Sequence, residues 1–236
     1  MGSETMAGTM NNRESFLARV KAAASSPVQR NWQASPRTPH EPGRSISEAA
    51  LPERFAINAG AAGIVVHKVA ARSMVGDAVA SILQTHGITT VIAWSGRFVS
   101  EYGLSDLSRR YGVELLPWNS EEPETNRKDA AFSMTCGITG ADYAIAETGS
   151  LVVVASPSQG RSVSLLGEIH IAIVEASRIL PDLYDLPGQL ATDFPERPPS
   201  NVTVIAGPSK TADIELQIVI GVHGPRHVYA VLVEEA

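Results

Sequence analysis

The stretch GITGADYAIAETGSLVVVA, residues 137–155, decides the fold because it joins two apolar runs through a short turn. Its small and β-branched residues predict one strand over residues 141–147 and a second over residues 150–155. Thr148 and Gly149 stand between them, which indicates a tight turn. The segment is therefore expected to lie in a sheet interior, although it holds two carboxylates.

The two carboxylates, Asp142 and Glu147, are predicted to have different roles. They are five positions apart, so an extended strand places them on opposite faces, and they cannot act as a paired acid and base on one strand. Asp142, near the strand start, is expected to accept backbone N–H groups. Glu147, at the strand end, is predicted to be the catalytic carboxylate, with Thr148 and Gly149 beside it as substrate-binding residues.

Outward from this stretch, short apolar strands alternate with helical patterns. This order predicts an α/β fold with a mixed, largely parallel sheet that has helices on both faces. Further strands are predicted over residues 64–69, 89–94, 113–118, 168–176, 201–207 and 227–235, and helices over residues 13–24, 52–63, 72–87, 104–112, 123–135, 178–190 and 211–221.

The chain divides into two regions by composition. Residues 1–44 contain a tail, one helix and a segment over residues 25–44 with four prolines, which is typical of an arm or linker. Residues 45–236 hold the alternating pattern and are predicted to form a single α/β domain.

Composition and charge exclude several classes of function. The net charge of −6 argues against nucleic acid as a partner, because phosphate binding requires a basic surface. No apolar run is long enough for a membrane span, and the N-terminus lacks an apolar signal core, so the cytoplasm is the expected location. Cys136 is the only cysteine. This excludes an internal disulfide and an all-cysteine iron–sulfur cluster, which needs about four thiolates.

Metal binding is not expected. His223 and His227 have the spacing of a helical metal pair, but Pro225 lies between them and would break the helix. His170 falls inside a predicted strand and is expected to be satisfied within the sheet. Cys136 is expected to be a small buried thiol.

The turn GPSKT, residues 207–211, follows a predicted strand and precedes a predicted helix that starts at Thr211. Ligands in α/β sheets bind at the carboxyl ends of strands, and a helix N-terminus presents free N–H groups to an anion. Gly207, Ser209, Lys210 and Thr211 are therefore candidates for an anion site. The alternative is a capped turn whose lysine lies in solvent.

Two further residues are predicted to bind the substrate or an anion. Arg161 lies in a loop after a strand and can pair with a carboxylate. His223 lies in the glycine-flanked loop GVHGP, residues 221–225, where functional side chains are common. If the strands before Arg161 and Lys210 are neighbours, both cations are expected to converge on one anionic group.

The motifs GITGADYAIAETGSLVV, GPSKTADIE and GVHGP resemble the signatures of the LUD-domain family, in the same order and spacing. The resemblance implies a fold similar to that of ribose-phosphate isomerase and the CoA transferases. It also implies a component of a system that oxidises L-lactate to pyruvate. Iron–sulfur clusters are then expected in two partners, the lactate utilisation subunits A and B, with no cofactor in this chain. The B subunit adds a cysteine-rich segment, and the lack of one here fits the C-type members.

Three functions stay open at this point. The chain could bind a small carboxylate such as L-lactate for its partners, or it could be a non-catalytic assembly subunit. The rival is a stand-alone protein that binds small anions or transfers acyl groups as the CoA transferases do. In those enzymes a glutamate beside a small turn is the nucleophile, which Glu147 resembles loosely. Thr148, however, stands where they have an asparagine.

Overall fold

The computed structural model of the chain describes residues 10–25, 47–118, 134–212, 218–221 and 223–235. Residues 1–41 and 42–236 form two separate compact units. In the first unit, helix α1 spans Met10–Ser25, which confirms the helix predicted over residues 13–24. The large apolar side chains of this helix, Phe16, Leu17 and Val20, are exposed.

The second unit is built around a six-stranded sheet in which every neighbouring pair is parallel. The order across the sheet is β1-β12-β7-β4-β2-β3, so the last strand of the chain lies beside the first. The strands are β1 Ile64–Ala71, β2 Thr90–Ala93, β3 Glu114–Pro117, β4 Cys136–Gly140, β7 Ile169–Glu175 and β12 His227–Glu235.

A four-stranded mixed sheet has the order β8-β5-β6-β9. Its strands β5 and β6 pair antiparallel through the turn at Thr148 and Gly149, as the sequence predicts. The chain therefore leaves the large sheet at the end of β4 and enters the small sheet directly. The strands of the small sheet are β5 Tyr143–Ile145, β6 Ser150–Val154, β8 Ile179–Leu180 and β9 Val202–Ile205.

Residues 211–221, predicted to be helical, form no helix where the structure describes them. Strands β10 (Lys210–Ala212) and β11 (Ile218–Ile220) pair antiparallel instead. The apolar residues of QIVI satisfy a strand as well as a helix, and the pairing of two chain segments decides between them. The helix prediction is therefore wrong.

The core lies on both faces of the large sheet. Strand β7 contributes to both sides of this core. Its residues Ile169, Ile171 and Ile173 pack on one face of the sheet, and Ala172 and Val174 pack on the other. The first face is covered by helix α3, Val75–Thr85, and by α5, Leu107–Tyr111. The second is covered by helix α2, Leu51–Ala62, and by the small sheet. Burial of these alternating apolar side chains is the main stabilising term of such a layered fold.

Besides short 3-10 turns, the described unit has three further α-helices: α4 Arg97–Glu101, α6 Ser162–Leu165 and α7 Leu186–Asp193. The predicted helix over residues 178–190 is shorter in the structure, since β8 occupies its start. Most of the helix predicted over residues 123–135 lies outside the described residues. The α/β class with a largely parallel sheet is confirmed. Among the described helices, none has the length and apolar character that a bilayer crossing requires.

Candidate functional site

A cleft of about 750 Å³ opens at the edge of the large sheet where its parallel strands end. This is the edge at which open α/β sheets bind ligands, because the loops that leave neighbouring strands meet there. Strands β1, β2, β4 and β7 all contribute their last residues or the residues that follow. The cleft is lined by Arg72, Trp94, Ser95, Gly96, Arg97, Phe98, Glu101, Tyr102, Gly140, Ala141, Asp142, Tyr143, Ser158, Gln159, Ile173, Glu175, Arg178, Asp193 and Phe194.

On one wall, Arg72 and Tyr102 hold the carboxylate of Glu175. The Arg72 Nη2 atom lies 2.6 Å from Glu175 Oε1, and the Tyr102 hydroxyl donates to the same oxygen at 2.8 Å. Burial, followed by this bond to Glu175, raises the pKa of Tyr102. The tyrosine therefore stays a neutral donor, and Glu175, at the end of β7, is fixed in place.

A second group of lining residues repeats this arrangement with Arg178, Tyr143 and Asp193. Arg178 Nη1 lies 3.1 Å from Asp193 Oδ2, and the Tyr143 hydroxyl donates to that oxygen at 2.6 Å. The bond from Tyr143 lowers the pKa of Asp193, so the carboxylate is ionised. The guanidinium of Arg178 also lies 5.9 Å from the centre of the Tyr143 ring. The contacts described for Arg178 use one of its nitrogen atoms, which leaves donors for an anion.

Asp142 also lines the cleft, in the link between β4 and β5. Its Oδ2 accepts the Val154 backbone N–H at 2.7 Å, which confirms the predicted backbone hydrogen bond. Burial raises the pKa of the Asp142 carboxyl to about 6, against the opposing effects of that bond and of Arg178. Asp142 therefore exchanges a proton close to neutral pH, as a general acid or base must.

A third part of the cleft lining follows β2 and is held by hydrogen bonds to backbone carbonyl groups. Trp94 is buried and its indole N–H donates to the Gly160 carbonyl at 3.4 Å. Ser95 donates its backbone N–H to the Ser158 carbonyl, also at 3.4 Å. Gly96, which precedes α4, has φ 74° and ψ −142°, a conformation open to glycine. These contacts hold the loop after β6 against the end of β2.

The predicted catalytic Glu147 lies outside this cleft. Its turn packs on α2, where the Asn58 side-chain amide donates to the Ala146 and Glu147 carbonyls at 2.7 and 2.8 Å. The Glu147 side chain is exposed, as the sequence predicts. Thr148 Oγ1 donates to Ser150 Oγ at 2.8 Å. The two carboxylates of the opening stretch are thus at opposite ends of β5, and Asp142 is the one in the cleft.

The turn at Gly207 packs on the C-terminus of α2, at the opposite edge of the large sheet. Lys210 Nζ lies 3.4 Å from the carbonyl of Ala62, the last residue of α2, so its charge lies at a helix C-terminus. The N-terminal position predicted for the lysine is wrong, because Thr211 lies in β10. Ser209 is held by backbone bonds to Pro225 and Gly221, both 2.9 Å.

His223 is exposed at this same edge, in a second pocket of about 540 Å³. Its loop and the Gly207–Lys210 turn are brought together by the Ser209–Pro225 hydrogen bond. Arg161 lies elsewhere: it is exposed and directly follows the loop that contacts Ser95 at the carboxyl edge. No described hydrogen bond or ion pair joins Arg161 to Lys210, and a shared anion between them stays a prediction.

His170 and Cys136 are buried in the large sheet. His170 Nε2 bonds to Thr139 Oγ1 at 2.8 Å, whereas its Nδ1 has no hydrogen-bond partner among the residues that the structure describes. Burial lowers the pKa of His170 to about 4 and raises that of Cys136 to about 12, so both groups are uncharged at neutral pH. Within the described ranges, no three His, Cys, Asp or Glu side chains are arranged to hold a metal ion.

Three of the residues that sequence reasoning missed share one signal. Arg72, Trp94 and Glu175 each end or directly follow an observed strand of the parallel sheet. The rule that ligands bind at carboxyl ends, applied to every strand, would have selected them. The pairing of Arg178 and Tyr143 through Asp193 has no such signal, because it joins three elements that only the fold brings together.

Comparison with known proteins shows which family the chain resembles in sequence and which solved structure it resembles in fold. The sequence model of the LUD domain matches residues 52–233. A protein of Exiguobacterium named lactate utilization protein C is 32% identical over 97% of this chain and 98% of its own length. The proteins of that name from Bacillus subtilis and Halalkalibacterium halodurans are 30% and 36% identical, over 97% and 67% of this chain and 98% and 69% of their own.

Among solved structures, a DUF162 family protein from Deinococcus radiodurans has a similar fold, with a TM-score of 0.58 and 23% sequence identity. The similarity covers 80% of this chain and 99% of that one. At this identity it supports the fold of the α/β unit.

Proposed function

The chain belongs to the LUD domain family, and from that premise we propose that it is a component of an L-lactate utilisation system. The observation that carries the proposal is the similarity, over almost the whole chain, to proteins named lactate utilization protein C. We propose further that the cleft at the carboxyl edge of the large sheet holds the small carboxylate, L-lactate.

The chemistry of the cleft supports this choice of ligand. A 2-hydroxy acid offers a carboxylate and a hydroxyl. Arg178 supplies donors for the carboxylate, and Asp142 can exchange a proton with a polar group of the ligand. The volume of about 750 Å³ is within the range of ligand sites and exceeds what a three-carbon acid fills.

Oxidation of L-lactate to pyruvate releases two electrons, and we assign their acceptors to other subunits. The chain has one cysteine, and its thiol is buried with a raised pKa. This supports iron–sulfur clusters held by partner subunits A and B, with the present chain holding the substrate or completing the assembly.

Growth on L-lactate tests the proposal. A strain that lacks the gene for this chain should fail to grow with L-lactate as sole carbon source, and the intact gene should restore growth. Arg178→Gln should not restore it, because the cleft loses a cation that faces the ligand. Arg109→Gln is the matched control, since Arg109 lies in α5, its side chain is 78% exposed, and it does not line the cleft.

Normal growth of the deletion strain on L-lactate would contradict the role in lactate use. Normal growth of the Arg178→Gln strain would contradict the cleft as the site. Glu147→Gln belongs in the same series because Glu147 stays the carboxylate that the sequence predicts. Failure of that variant, with Arg178→Gln unaffected, would move the functional site to the turn on α2.

A further inference from the structure

The charges that line the cleft do not balance. Three arginines and four carboxylates line it, so the fully ionised cleft carries one net negative charge. Each arginine forms an ion pair with one carboxylate, and Asp142 is the carboxylate left without one among the described residues. The pairs are Arg72 with Glu175, Arg97 with Glu101 and Arg178 with Asp193.

Asp142 lines the cleft, and a backbone hydrogen bond holds its carboxyl group. Its Oδ2 accepts the Val154 N–H from β6, so a proton on this carboxyl belongs on Oδ1. Arg178 is the cation whose charge acts on Asp142 most strongly. The other titratable or charged groups that share the cleft with it are Tyr143 from β5, Glu175 from β7, Asp193 from α7, Arg97 and Glu101 from α4, and Arg72 and Tyr102.

We propose that the cleft binds a small monocarboxylate together with one proton, which Asp142 carries, with Arg178 as the cation that faces the ligand. The choice of ligand class rests on the proposed function. The coupling to a proton rests on the cleft itself and is tested by binding alone.

The physical reason is repulsion at short range. An anion that enters the fully ionised cleft meets an unpaired carboxylate in a partly buried site, where charges are poorly screened. A protonated Asp142 removes that charge and donates its O–H to a ligand oxygen, a short charge-assisted bond. The raised pKa of Asp142 places this proton exchange near pH 6, within reach of neutral pH.

Titration calorimetry with L-lactate and with acetate, on the full chain, measures the coupling. L-lactate stays ionised above about pH 5, whereas acetate is partly protonated there. Acetate affinities are therefore calculated for its ionised form, and the remaining change in affinity with pH belongs to the protein. Affinity is proportional to the protonated fraction of Asp142, and it should therefore fall about 30-fold between about pH 5 and about pH 7.5. Near neutral pH, buffers of different ionisation enthalpy should show uptake of about one proton for each anion bound.

Three variants identify the residues. Asp142→Asn keeps an acceptor for the Val154 N–H and a donor for the ligand but has no proton to lose, so its affinity should be nearly constant with pH. Arg178→Gln should weaken binding at every pH by at least about tenfold. Glu114→Gln is the matched control: Glu114 begins β3, is exposed and lies outside the cleft lining, and the variant should keep the wild-type pH profile.

The inference is overturned if wild-type affinity is constant or rises with pH, if Asp142→Asn keeps the wild-type profile, or if neither anion binds at about pH 5. Its failure differs from that of the proposed function. If growth on L-lactate requires the chain but anion affinity does not change with pH, the lactate role is supported and the proton coupling is not. If the deletion strain grows normally on L-lactate but anion binding is coupled to a proton, the coupling is supported and the lactate role is not.

Discussion

His170, which is buried, and Asp142, which is half-buried, change protonation in opposite directions when the chain unfolds. Burial lowers the pKa of His170 from 6.5 to about 4, so between these values the unfolded chain binds the proton and the folded chain does not. Stability from this group rises with pH across that window. Burial raises the pKa of Asp142 from 3.8 to about 6, so here the folded chain holds the extra proton and stability falls as pH rises.

The two contributions therefore nearly cancel between about pH 4 and about pH 6. Asp142→Asn removes the falling contribution and leaves that of His170. Relative to wild type, the free energy of unfolding of this variant should gain about 3 kcal/mol as pH rises through that window. Urea unfolding at a series of pH values measures the difference. Parallel pH profiles of wild type and variant would show that Asp142 titrates normally in the fold.

Gly149 is a position where an added Cβ atom should strongly affect stability. Its φ is 65°, and an added Cβ would lie 2.0 Å from the backbone nitrogen of Ala59. Gly149→Ala should lower the free energy of unfolding by about 3 kcal/mol or more, because neither backbone can move without breaking the turn or α2.

Gly60→Ala is the matched control for Gly149→Ala. Gly60 is exposed on α2, and an added Cβ would meet nothing within 4 Å. This variant should leave stability unchanged or raise it by up to about 1 kcal/mol, since alanine favours helix. Equal losses in both variants would contradict the close approach between the turn and α2.

At the scale of elements, helix α6 can pack closely on the large sheet because Gly137 has no side chain. Gly137 in β4 lies against the backbone of α6, and an added Cβ would lie 1.8 Å from the Val163 carbonyl oxygen. Gly137→Ala must displace α6, and with it the loop at Ser158 and Gln159 that lines the cleft. The variant should lose about 3 kcal/mol of stability and bind L-lactate more weakly than wild type.

Gly140→Ala, in the same strand, is the comparison. Its Cβ would meet a ring carbon of Trp94 at 3.2 Å, a side-chain contact that a small shift relieves. Chemical denaturation of both variants should show the larger loss at Gly137. If Gly140→Ala and Gly137→Ala lowered the free energy of unfolding equally, this would contradict close packing of α6 on the backbone of β4.

At the scale of the whole molecule, stability should be graded across the large sheet. Strand β7 is paired on both sides and almost every residue in it is buried, whereas β3 is an edge strand of four residues that are mostly exposed. Hydrogen exchange followed by mass spectrometry should therefore show much slower exchange for residues 169–175 than for residues 114–117. Similar rates would mean that the sheet opens only as one unit.

The fold class was predictable because its signals are local. Alternation in the IHIAIV run and the turn at Thr148 and Gly149 specify strands without reference to distant residues. The β10–β11 hairpin was not predictable, because its apolar residues fit a helix as well and only pairing excludes that. The cleft itself was not predicted, because none of the residues predicted to bind the substrate lines it. Asp142 was expected only to accept a backbone N–H, and its place in the cleft depends on residues from several other elements.

The sequence by itself determined the α/β class, the order of most strands and helices, and membership of the LUD domain family. These follow from short-range patterns and from motifs that are continuous in the chain. The tertiary structure decided which residues share a site. Arg72 meets Glu175 across 103 positions of sequence, and Lys210 meets Ala62 across 148. The physical reason is that a cleft forms where parallel strands end together, and strand order across a sheet is set by the packing of both its faces.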